Sequence, residues 1–229
     1  MTGPDDDEDD PGFASPPCLM HELDPTFREL KAEGDARTAR DVARWRKAER
    51  ERLIQARRAQ DVTVRRAVAA RIAAGLDAEV GEVRGRTVGC YWPIRGEPDL
   101  RPWLAGLVER GAVCALPVVV APRQPLVFHR WRPGERLVPG HWNIPVPAEP
   151  VPVVPDLVIA PLVGFDASCY RLGYGGGFFD RTLAGLRGRV QAIGIGYASA
   201  RLATIFPQWH DVPMDLLVTE EGVSHRTSP

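Results

Sequence analysis

The sequence predicts an α/β fold: a single domain with a mainly parallel open sheet flanked by helices, plus a long N-terminal helical region. Three observations predict it. Short apolar runs such as Asp156 to Ala160 (DLVIA) and Val190 to Ile195 show no polar alternation, as expected of strands buried on both faces. Segments of helical spacing separate the strand runs, and that alternation favours parallel pairing. The chain has 229 residues, 44% of them hydrophobic, which is enough for a sizeable core without disulfide staples.

The elements follow in order. Residues 1–25 are rich in Gly, Pro, Asp and Ser and contain DDDEDD from Asp5 to Asp10. That run repels itself and is expected to be a disordered acidic tail, leaving 26–229 as the domain. Phe27 to Ala59 has few breakers and many Ala, Arg and Glu, a helical composition that is polar on several sides. Asp61 is placed to cap a second helix, with Val64, Val68, Ile72 and Leu76 as its apolar stripe and Gly75 weakening its end. Gly81 and Gly85 mark a loop. Thr87 to Trp92 predicts a strand closed by Pro93, and Asp99 to Glu109 a helix with Leu100, Trp103, Leu104 and Leu107 on one face. Ala112 to Ala121 predicts a second strand, with Pro117 at an end or bulge. Leu126 to Trp131 is a third, and 132–155 reads as irregular. After DLVIA come a glycine-rich loop and a helix from about Phe178 to Leu186. Two strands follow, the final one at Leu216 to Thr219.

Composition excludes several classes. The formal net charge is −1, against a nucleic-acid binder, which would be clearly basic. No run approaches the ~20 apolar residues of a membrane span. Cys18, Cys90, Cys114 and Cys169 are too far apart for a local CxxC pair, so reduced thiols and a cytoplasmic location are expected. The N-terminus is acidic where a secretion signal would be basic and then apolar. His141 and His210 are isolated from other zinc ligands, and no G-x-S-x-G elbow is present.

The richest stretch is Arg171 to Arg181, RLGYGGGFFDR, ahead of a predicted helix. Gly173, Gly175, Gly176 and Gly177 free the backbone for positive φ and close ligand approach. A helix N-terminus adds unpaired N–H groups and a positive dipole end, so the loop is either a phosphate cradle or simply a tight turn. Its G-x-G-G-G spacing matches neither the dinucleotide nor the P-loop fingerprint. Arg171 can fork onto a phosphate or carboxylate. Asp180, in the first turn, either offsets the dipole or helps to hold Mg²⁺; Asp211 and Asp215 in HDVPMD are candidate second acids. Tyr91, Trp92 and Glu97, with Trp142 and Asn143, offer rings and a carboxylate for a flat heterocycle, or else pack the core.

Asp156 to Leu183, DLVIAPLVGFDASCYRLGYGGGFFDRTL, closely resembles the signature of the 5-formyltetrahydrofolate cyclo-ligase family. HWNIPVP, YWPIRGEPD and HDVPMDLLVTE match other family blocks in order, over about residues 40–220. The resemblance implies ATP- and Mg²⁺-dependent closure of 5-formyltetrahydrofolate to 5,10-methenyltetrahydrofolate, by a monomer whose partners are a reduced folate and ATP. It implies that Arg171 to Phe179 (Gly173, Gly175, Gly176, Gly177 and Phe178 among them), together with Arg46 and Arg50, bind ATP. Asp180 and Asp211 would hold the metal. Trp92, Glu97, Trp142 and Tyr174 would bind folate, and Arg171 and Tyr174 would carry catalysis. The sequence departs from the family at Arg46, where Lys is common and Lys47 is next door. It departs again at Phe178 and Phe179, where Tyr is common, and at Leu100 in place of Thr. A non-catalytic nucleotide- or folate-binding paralogue, and a ligase or kinase for another substrate, are the competing expectations.

Overall fold

The computed structural model describes residues 25–227, with side chains from residue 37 onward. The expected acidic tail lies outside the described residues. The chain divides into two units, Met1–Val42 and Ala43–Pro229. Helix α1, Pro25–Ala59, begins in the first and ends in the second, and all that follows concerns the second.

Five parallel strands form the heart of an eight-stranded sheet, in the order β11 (Leu216–Thr219), β10 (Gln191–Ile195), β7 (Leu157–Pro161), β1 (Thr87–Gly89) and β2 (Val113–Val118). Antiparallel strands close both edges: β12 (Gly222–His225) beside β11, and β3 (Val127–Arg130) then β6 (Pro152–Val153) beside β2. Side chains alternate between the two faces as the pleat requires. Leu157, Ile159, Ile193, Ile195, Leu216 and Val218 pack in one core with α2 (Val62–Val80) and α3 (Arg101–Glu109). Val158, Ala160, Ala192 and Leu217 pack in a second core with Leu53 of α1 and Leu183 of α4 (Phe178–Gly185). Helices thus cover both faces, which is why β7 carries no polar alternation.

The connection from β1 through α3 leads to β2 on one side, and that from β7 through α4 leads to β10 on the other. The chain therefore reverses its winding between β1 and β7. A crevice opens at such a point beyond the carboxyl ends of the strands.

Several expectations need correction. The strand at 216–219 is followed by another, β12, whose antiparallel return turns on Gly222 (φ 141°). Hairpins β4 (Leu137–Pro139)–β5 (Pro145–Pro147) and β8 (Gly164–Phe165)–β9 (Arg171–Leu172) occupy stretches read as irregular or loop. β1 stops at Gly89, short of Trp92. Pro117 is the penultimate residue of β2, close to the expected strand end; the pairing of β2 with β1 ends at Ala115, so no β1 carbonyl awaits the missing N–H. Asp61 caps α2 by accepting from the Thr63 N–H at 2.7 Å, as expected, but Val64 is 49% exposed and lies off the buried stripe. α2 runs past Gly75 to Val80 and is capped by Gly81, as expected. A Cβ on Gly75 would meet Val218 Cγ1 at 2.9 Å, so that glycine lets the helix lie close on β11.

Candidate active site

The glycine-rich stretch forms a backbone nest at the start of α4. Gly177 caps the helix in the left-handed region (φ 64°), and Gly175 is also positive (φ 94°). Gly173 and Gly176 do not take positive φ, contrary to expectation. At Gly176 a Cβ would meet the Phe178 ring at 2.9 Å, so there it is bulk, not φ, that is limited. Among the described residues no side chain caps the helix, so its first-turn N–H groups suit a ligand or water.

Charged side chains from three elements surround the nest. Arg171, at the end of the β8–β9 hairpin, is buried; its Nη1 donates to the Val212 carbonyl at 3.1 Å and lies 2.9 Å from Asp180 Oδ1. Asp180 Oδ1 also accepts the Val212 N–H at 3.1 Å. From α1, Arg46 is buried, donates through Nε to the Ile205 carbonyl at 2.9 Å and pairs through Nη2 with Asp211. Arg50 Nε donates to the Gly173 carbonyl at 2.7 Å. Burial first, and the nearby Arg46 charge second, lower the Arg50 pKa against the pull of Asp211, and a bound anion would oppose both. Asp180 and Asp211 line the same cleft. Among the described residues no three His, Cys, Asp or Glu side chains cluster as metal ligands. Two carboxylates near a backbone nest are of the kind that Mg²⁺ takes, one or two with its remaining positions filled by other oxygens and water.

At the other end the cleft is built around a buried carboxylate. Glu97 Oε2 accepts the Ile94 N–H at 2.8 Å and Oε1 accepts the Tyr174 hydroxyl at 2.8 Å. Arg57 of α1 donates through Nη2 to that same hydroxyl, and its charge lies 3.8 Å from Glu97 Oε1. Burial pushes Glu97 up to about 7, against the opposing pull of Arg57, the Ile94 N–H, Tyr174 and Arg95. Burial and the Glu97 charge also raise Tyr174. Trp92 meets Trp131 edge to face at 6.4 Å, with the Arg101 guanidinium 4.7 Å from its ring. Trp142 is 63% exposed in left-handed conformation (φ 55°) and borders the cleft beside His141 and Phe178.

The family model for the 5-formyltetrahydrofolate cyclo-ligase family matches residues 42–220. The chain belongs to that family. Among cyclo-ligase relatives, the 5-formyltetrahydrofolate cyclo-ligase of Mycolicibacterium smegmatis is 33% identical over 178 residues, spanning 73% of this chain and 89% of the relative. That of Escherichia coli K12 is 34% identical over 150 residues, 62% and 81% of the two chains. Among solved folds, the 5,10-methenyltetrahydrofolate synthetase of Aquifex aeolicus superposes with a TM-score of 0.69 at 26% identity, covering 80% of this chain and 94% of that one. The Mycoplasma pneumoniae synthetase, at 23% identity and TM-score 0.64, shares the fold.

The cyclo-ligase motifs converge in space. Arg46, Arg50, Arg171, Asp180 and Asp211 line the cleft together with the glycine nest, Phe178 and Phe179, and so do Trp92, Glu97, Trp142 and Tyr174. The open alternatives resolve in part. Arg46 lines the cleft while Lys47 is exposed. Asp215 instead accepts the Ala192 N–H at 2.8 Å and tethers the start of β10. Leu100, the departure from Thr, is fully buried in the α2–α3 core. Arg57 was missed by the sequence reading. Its signal was present: Arg46, Arg50 and Arg57 are spaced by four and seven residues, the repeat of one helix face.

Proposed function

We propose that this chain catalyses ATP-dependent cyclisation of 5-formyltetrahydrofolate to 5,10-methenyltetrahydrofolate, releasing ADP and phosphate, as a cytoplasmic monomer whose catalytic domain lies within residues 26–229. The observation that carries this reading is one cleft, at the winding reversal of the sheet, that holds both an anion nest and a buried carboxylate flanked by aromatic rings.

In this reading the nest, with Arg46, Arg50 and Arg171, cradles the triphosphate, and its N–H groups aim at oxygens that gain charge as the γ-phosphoryl moves. Asp180 and Asp211 hold Mg²⁺, which supplies charge neutralisation at the phosphates when bound. Glu97 accepts N–H groups of the pterin, and Trp92, Trp142 and Tyr174 pack the folate. So held, the formyl oxygen attacks the γ-phosphorus and ADP leaves. N10 then adds to the activated carbon and closes the ring, its proton is lost to solvent or to the departing group, and phosphate departs with the former formyl oxygen. ATP converts a poor leaving oxygen into a good one, while the protein aligns the reactants and balances their charge.

The test is to mix purified chain with 5-formyltetrahydrofolate, ATP and Mg²⁺ and to follow methenyl absorbance and ADP together. Stoichiometric appearance of both is expected. Tight ATP binding without turnover would instead make the chain a non-catalytic binder. ADP release with a different formyl or carboxyl compound would redefine the substrate.

A further inference from the structure

We propose that Arg57 is a positioning residue for the folate subsite, its guanidinium fixing the Tyr174 phenol and the 94–97 turn so that Glu97 meets the bound pterin in one orientation. The inference rests on the folate reading above.

Arg57 is 4% exposed, and each of its nitrogens is committed. Nε donates to the Arg95 carbonyl at 2.9 Å, Nη1 to the Leu162 carbonyl at 3.3 Å, and Nη2 to the Tyr174 hydroxyl. At 3.8 Å its charge is too far from Glu97 for a direct hydrogen bond, so the geometry runs through Tyr174, which accepts from Arg57 and donates to Glu97. The turn that supplies the Ile94 N–H to Glu97 also supplies the Arg95 carbonyl to Arg57. Gly96 in that turn has φ +81°, and its Cβ would lie 3.4 Å from the Arg57 carbonyl, so α1 and the turn are in close backbone contact. With two of its lone pairs held this way, Glu97 keeps acceptor capacity for a ligand.

The surroundings explain why a cation is needed. Glu97 is faced by Arg57 from α1, Arg95 from its own turn, Tyr174 from the nest and Cys90 and Tyr91 beyond β1. Tyr197, which follows β10, reaches the same turn by donating to the Gly96 carbonyl at 2.8 Å. Arg57 and Arg95 are the cations of this set. Arg95 is exposed and screened, whereas Arg57 is buried beside the carboxylate. A merely space-filling role would be met by an apolar side chain, which would not incur the desolvation of a guanidinium.

The test compares the full chain with Arg57→Gln and Arg57→Lys. ¹³C-carboxyl NMR follows the titration of Glu97, and steady-state kinetics follow each substrate against pH. In Arg57→Gln the Glu97 midpoint should rise by about one pH unit or more. KM for 5-formyltetrahydrofolate near neutral pH should rise about tenfold, with KM for ATP within about twofold. Raising the pH should recover part of the loss, and Arg57→Lys should fall between wild type and Arg57→Gln. An unchanged midpoint together with an unchanged folate KM would overturn the proposal. Should Arg57→Gln fail to fold, Arg57→Lys and Tyr174→Phe decide, since the second cuts the link but leaves the cation. Neither variant shifting Glu97 or folate KM would overturn it equally. A wild-type chain that cannot turn over 5-formyltetrahydrofolate overturns the functional reading alone. The NMR titration needs no substrate, so it decides separately whether Arg57 governs Glu97.

Discussion

The two ends of the cleft hold their charges in opposite ways. At the nest, Asp180 and Asp211 are each paired with an arginine, and among the described residues no side chain caps the helix N–H groups. At the other end one carboxylate, Glu97, is almost wholly out of solvent and is satisfied by a phenol, a backbone N–H and a guanidinium one atom further away. The first arrangement suits a highly charged ligand that exchanges one set of ion pairs for another. The second suits a neutral, flat ligand recognised by hydrogen bonds in a dry site.

The contrast can be broken most forcefully at Asp180. Asp180→Ala is expected to lower kcat by on the order of 10²–10³-fold while far-UV circular dichroism stays native. An active variant would remove the charge-exchange account of the nest. Glu97→Gln is next. It should lower kcat/KM for the folate by about 10- to 100-fold, the cost of lost charge-assisted hydrogen bonds, with little change in KM for ATP. Wild-type kcat/KM should fall as pH drops through about 7, the range where Glu97 takes up its proton, and Glu97→Gln should lack that limb.

The same group has a sign for stability. Its folded pKa, about 7, is above the ordinary carboxylate range, so the folded chain binds this proton more tightly than the unfolded chain. That contribution is complete below the unfolded pKa and is lost as pH rises through about 7. Urea unfolding should show wild type losing on the order of 2–3 kcal/mol more than Glu97→Gln between about pH 4 and pH 8.

Smaller effects sharpen the comparison. Arg50→Met should raise KM for ATP about tenfold, and the difference from wild type should shrink as salt rises, because Arg50 is only part-buried. Trp142→Ala should change folate KM only by about two- to fivefold and stability by under about 0.5 kcal/mol, since that ring is 63% exposed.

The sequence made the nest end more legible than the carboxylate end, and the reason is physical. The nest is local: Gly175, Gly177, Arg171 and Asp180 fall within ten residues, and strand–loop–helix grammar places them together. β7, β10, α4 and the Asp61 cap are equally local and match their expected positions closely. The Glu97 environment is assembled from segments 38 to 117 residues apart, such as Arg57 with Arg95 and Arg57 with Tyr174. No short window contains it. A buried arginine also defies the rule that charges sit outside, so Arg57 reads as a surface residue until its partners are seen. Gly75 and Pro117 are only half legible for a related reason. Their cost as breakers is set locally, but their use, close approach to Val218 and a vacant side of β2, is set by neighbours distant in sequence.

Arg46, Arg50 and Arg57 ride on one continuous helix, so 11 residues, or about 16 Å of rigid rod, join the two ends of the cleft. One rigid element lining both ends is expected to couple the two binding events. Thermodynamic reciprocity fixes the size: whatever factor ATP imposes on folate affinity, folate imposes on ATP affinity.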